Sequence, residues 1–227
     1  MKKNIQLTIL LAFVILIYVF FGIMINNYGG TLNLRWLFWN LLLAVIPVGF
    51  ALFTQLVTFL FKRWELFSLL SAALWLVFMP NACYMITDLI HLESSGLIGY
   101  DGTYLMNLKE WVELIYLGGG IFLALVAGLF STSVIHCLLP FKHHSIVNLC
   151  WMILISLLCG YGVYIGRFLR LNSWDILHPR SLIQILLQNM NRFTVLFTLM
   201  IAGFYFISYL IFDRLMQSEN QKSKQTR

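Results

Sequence analysis

IQLTILLAFVILIYVFFGIMI, residues 5–25, is an unbroken uncharged run preceded by Lys2 and Lys3 and followed by Asn26-Asn27-Tyr28-Gly29-Gly30. A hydrocarbon core about 30 Å thick takes about 20 helical residues per crossing, so a run of this length spans a bilayer. It has no period of two, which a strand of a membrane barrel would need. No small-x-small cleavage pattern follows it, so it reads as a retained anchor rather than a signal peptide.

The same reading extends outward to five further runs, at about 36–61, 66–86, 112–137, 146–166 and 193–212. The chain of 227 residues is 60% hydrophobic and 11% charged, with a mean hydropathy of +0.84. That leaves too little polar surface to cover a water-soluble domain, so the bilayer is its solvent. The sequence predicts an all-α polytopic transmembrane helical bundle of about six spans, forming one membrane domain over residues 1–216. The segment 217–227, polar and without aromatics, is expected to be a disordered cytoplasmic tail.

The net charge of +6 is spread among loops and makes no continuous stripe, so nucleic acid is not an expected partner. Orientation accounts for it better. With a cytoplasmic N-terminus, Lys2, Lys3, Lys62, Arg63, Lys142, Arg214, Lys222, Lys224 and Arg227 all lie inside, as the positive-inside rule asks. Both termini are then cytoplasmic. The cysteines Cys83, Cys137, Cys150 and Cys159 lie in or beside spans without zinc-ligand spacing and read as small apolar thiols.

Within the spans, Pro80-Asn81 should break the third, with Asn81 helping a freed carbonyl. Asn40 and Gln55 should bond to other helices. Gly118-Gly119-Gly120, Ala124, Ala127, Gly128, Gly162 and Gly166 should let helices approach closely. Trp36, Trp39, Trp64, Trp111, Trp151 and Trp174 read as an aromatic belt, and Glu113 as a snorkelling side chain. His136, His143 and His144 read as surface residues.

Chemistry concentrates in two long connections. Asp88-Leu89-Ile90-His91 and Asp175-Ile176-Leu177-His178 repeat Asp-x-x-His, a spacing that puts carboxylate and imidazole on one side of a helical turn. Asp88, His91, Asp175 and His178 could hold a divalent metal; alternatively, an Asp could orient its His for acid–base work. Arg167 and Arg170 are also three apart and could grip a phosphate, or pair internally with Asp88, Glu93, Asp101, Glu110 or Glu113. Asn81, Asn172 and Trp174 would support the site. Ser181–Asn189 reads as a short helix in the membrane interface, forming a lid or platform.

The stretch from Trp75 through Pro80-Asn81-Ala82 to Thr87-Asp88-Leu89, together with Arg167–Asp175 and the earlier Trp39-Asn40-Leu41 and Pro47, resembles domain of unknown function 1361, a family of bacterial polytopic membrane proteins. This chain departs from the family pattern with Cys83 in place of a proline and Leu171 in place of Trp. The resemblance implies a bacterial plasma-membrane location and names no activity. Three functions stay open: an enzyme acting on an anionic lipid-linked envelope substrate at an outward-facing polar site, a non-catalytic membrane partner or assembly protein, and a small-solute transporter. The number of copies in the functional unit also stays open.

Overall fold

The computed structural model describes residues 2–27, 34–62, 65–94, 103–104, 106–140, 145–171, 173, 175 and 178–225. The chain is helical throughout its regular structure: α1 (Lys2–Asn27), α2 (Leu34–Phe61), α3 (Leu66–Phe78), α4 (Pro80–Tyr84), a 3-10 segment (Met85–Ser94), α5 (Leu108–Leu138), α6 (Ser145–Tyr164), a π-turn (Ile165–Leu169), α7 (Pro179–Gln188) and α8 (Arg192–Gln225). Six of these segments are long and apolar enough to cross a membrane: Asn4–Asn27, Trp36–Phe61, Leu66–Ile90, Leu108–Leu138, Ile146–Leu169 and Arg192–Gln217. The protein is therefore a multi-pass helical bundle, and the expected spans match these within a few residues at each end. Leu, Ile and Phe side chains remain exposed along α1, α3 and α8, as a lipid-facing surface requires.

Packing falls into two groups joined by a short element. α2 lies against α3 and α5, α6 lies against α8, and the five-residue α4 touches α2, α5 and α6. Proline creates α4: it has no N–H to donate, so the third span cannot continue as one ladder. The break is resealed locally. Asn81 Nδ2 donates to Phe78 O at 2.9 Å and to Ser173 Oγ at 3.2 Å, while Ser173 Oγ donates to Val77 O at 3.4 Å. Asn81 thus does what its place after Pro80 predicts, with Ser173 as an addition from the other side of the bundle. Gly162 lets α6 meet the kink, because a Cβ there would collide with the Pro80 ring.

Other small residues act similarly. A Cβ on Gly128 would meet Ala82, and one on Gly120 would meet the Tyr18 hydroxyl, whereas Gly118 faces open space. Tyr18 and Tyr116 join α1 to α5: each hydroxyl donates to the other's carbonyl, at 3.0 and 2.8 Å, and the rings stack 4.2 Å apart. Asn4 Nδ2 donates to Gln55 Oε1 at 3.2 Å and Asn40 bonds across to the third span, so both span-two amides bond other helices as expected.

Several expectations are corrected. α8 runs as helix to Gln225, past the point where polar composition predicts disorder, and Gln217 Nε2 donates to Asp213 Oδ2 one turn back at 2.5 Å. Glu113 is buried rather than snorkelling. His136, expected at the surface, is 1% exposed. Its Nε2 bonds Asn148 Oδ1, its Nδ1 lies 2.7 Å from the Tyr209 hydroxyl, and its ring stacks on Trp151 at 4.8 Å. Trp151 is thus a packing partner of the core histidine. His143, His144 and Trp64 lie outside the described residues.

Candidate functional site

Asp88 sits in the 3-10 segment that continues α4, and its carboxylate is 1% exposed. Burying an ionised carboxylate is costly unless charge and hydrogen bonds compensate. Both are present. Arg167 Nη2 donates to Asp88 Oδ1 at 2.5 Å and Asn40 Nδ2 donates to Asp88 Oδ2 at 3.0 Å. Arg167 is itself fixed: Nε donates to Thr87 Oγ1 at 2.8 Å, Thr87 Oγ1 donates back to Tyr84 O at 2.6 Å, and the guanidinium lies 4.3 Å over the Tyr84 ring. One ion pair thereby ties the ends of the third and fifth spans to the start of the second.

The local sequence explains how Arg167 arrives there. α6 loosens into the π-turn Ile165–Leu169, and Gly166 lies against the Tyr84 ring, leaving room for the arginine beside it. Arg170 then closes the turn in a left-handed conformation, φ 56°, with its N–H bonded to Ile165 O. Such a backbone suits Gly or Asn, so an arginine here carries strain. Its side chain is exposed, while that of Arg167 is engaged with Asp88.

Beside the ion pair lies a cleft of about 790 Å³, bounded by α2, α3, α4, α6 and Leu186 of α7. One end is polar, lined by Asn40, Asn81, Arg167, Arg170 and Ser173. The remaining wall is apolar, with Leu43, Leu76, Val77 and Leu158. Leu158 and Arg167 are nine residues apart on one helix, about 13 Å along its axis at 1.5 Å per residue. The cleft therefore runs along much of one half of a spanning helix.

Of the expected site residues, the structure joins Asp88, Arg167, Asn81 and, at the cleft mouth, Arg170. Asp175 is half-buried, and its carbonyl accepts the His178 N–H at 3.0 Å. Asn172, Trp174 and the side chain of His91 lie outside the described residues. Among the described residues, no three His, Cys, Asp or Glu side chains gather to hold a metal. At Asp88 an ion would have to displace the Arg167 guanidinium. Sequence reasoning missed Tyr84 and Thr87 as seats for Arg167, although the adjacency of Thr87 to Asp88 was a usable signal.

Residues 39–209 match the model of a family described as "Protein of unknown function (DUF1361)". No curated protein and no solved structure matches the chain.

Proposed function

Because this chain belongs to the DUF1361 family, whose description names no activity, we propose its function from the geometry: the cleft holds an anionic amphiphile, a lipid or lipid-linked phosphate. The observation that carries this reading is the division of one continuous cleft into a polar part with an exposed arginine and an apolar wall, between helices long and apolar enough to cross a membrane. An amphiphile has the same division. Arg167 and Asp88 neutralise one another, so the charge offered to a headgroup is that of Arg170, with Asn40, Asn81 and Ser173 as nearby polar groups.

With cytoplasmic termini, this mouth faces the outer side of a bacterial plasma membrane. The role supported is binding and presentation. Asp88 is buried with both oxygens engaged, which supports a structural role for it over that of a general base. The same engagement favours the non-catalytic reading over a metalloenzyme, and the cleft serves a membrane partner that holds a lipid as well as an enzyme that transforms one.

Native mass spectrometry of protein exchanged into mixed phosphatidylglycerol, phosphatidylethanolamine and polyprenyl-phosphate micelles tests this. Anionic adducts should be retained several-fold over the zwitterionic lipid and lost in Arg170→Gly. Glycine suits the left-handed backbone, so that variant should melt at or above the wild-type temperature. Equal retention of all three lipids, or retention indifferent to Arg170→Gly, rules the proposal out; the two anionic arms tell headgroup from polyprenyl recognition.

A further inference from the structure

α7 does not belong to the spanning bundle, and its surface is unlike that of a soluble helix. Ile183, Leu187 and Met190 are 56%, 72% and 58% exposed. At about 100° per residue Ile183 and Leu187 fall about 40° apart, while Gln184 and Gln188 point about 100° and 140° away from Ile183; Met190 follows just beyond the helix end. Leu186, at the edge of the apolar side, turns into the cleft. Arg180 and Arg192 are exposed at either end.

The anchorage of α7 is at its C-terminal end. Asn189 Nδ2 closes the last turn on Ile185 O at 2.8 Å; Asn189 O accepts from the Tyr164 hydroxyl at 3.2 Å and from Thr194 Oγ1 at 2.8 Å. Asn191 Oδ1 then accepts the Thr194 N–H at 3.1 Å and starts α8. A helix anchored at its C-terminal end, apolar on a side facing away from the bundle and flanked by arginines has the form of a segment lying in a lipid headgroup layer.

We infer that α7 is seated in the interface of an anionic leaflet through Ile183, Leu187 and Met190, and that this seat keeps Leu186 across the mouth of the cleft. The first half stands independently; the second rests on the amphiphile-binding reading above. The bilayer is favoured over a protein partner because the apolar face of α7 lies between two exposed arginines, Arg180 on α7 and Arg192 at the start of α8.

Spin labels placed singly at residues 183, 184, 187 and 188, with Cys137 and Cys150 replaced and the buried Cys83 and Cys159 kept, test the seat in vesicles containing phosphatidylglycerol. Labels at 183 and 187 should be more accessible to oxygen and less to a water-soluble nickel chelate, with 184 and 188 reversed. All four labels open to nickel would overturn the seating, as would 183 and 187 hidden from both probes, the signature of a covering protein surface or second copy. Equal depth in phosphatidylcholine vesicles would remove the role of Arg180 and Arg192. Bound phosphatidylglycerol should leave Ile183→Asn/Leu187→Asn several-fold faster than wild type; an unchanged rate with seated labels would overturn the lid alone. If no anionic lipid is retained by wild type, the amphiphile reading fails while the accessibility pattern still decides the seat.

Discussion

Three helices meet at Asp88, and the physical reading turns on which of its two costs is larger. A carboxylate at 1% exposure with its partners removed is a buried bare charge, and breaking such a pair from one side costs about 3–5 kcal/mol. Replacing both partners by apolar groups of like size is often close to neutral. Asp88→Asn should therefore lower the melting temperature and the amount of protein recovered in mild detergent, while Asp88→Leu/Arg167→Met should recover most of the loss. A catalytic Asp88 predicts the opposite: Asp88→Asn folded and abundant, but inert. The Asp-x-x-His spacing made Asp88 conspicuous in the sequence. Its partner could not be read there, because Arg167 lies 79 residues away and a helical period says nothing about which span ends are neighbours. His136 failed for a related reason. A lone histidine near a span end looks solvent-bound, and only packing supplies Tyr209, Asn148 and Trp151 around it.

At the scale of the element, the third span and α6 form one device. Pro80-Asn81 announced the break, and the spans themselves were legible because runs of about 20 apolar residues have few other uses. The closure of the break was not legible, since Ser173 stands 92 residues from Asn81. Nor was the left-handed Arg170, where local preference would place glycine. Gly162 gives the clearest test of this contact. Gly162→Ala should destabilise by about 1–3 kcal/mol through overpacking against Pro80, whereas Gly203→Ala, with nothing within 4 Å of an added Cβ, should leave thermal unfolding unchanged. Equal effects at both positions would show that the kink does not need a glycine to receive it.

For the whole molecule, polar interactions gather toward both ends of an apolar bundle: Asn40, Asp88 and Arg167 toward one, Asn4, Gln55, His136 and Asn148 toward the other. From the bias of Lys and Arg we propose that the latter faces the cytoplasm. Green fluorescent protein fused after Arg227 should then fluoresce, and alkaline phosphatase fused at the same place should be inactive; the reverse result would turn the cleft mouth inward. α1 holds to this bundle through little buried surface, and its principal fastening is the reciprocal pair Tyr18 and Tyr116. That fastening imposes a schedule on biosynthesis. α1 leaves the ribosome long before Tyr116 exists, so the Tyr18 hydroxyl waits in lipid, or with a chaperoning insertase, until α5 arrives and both phenols close together.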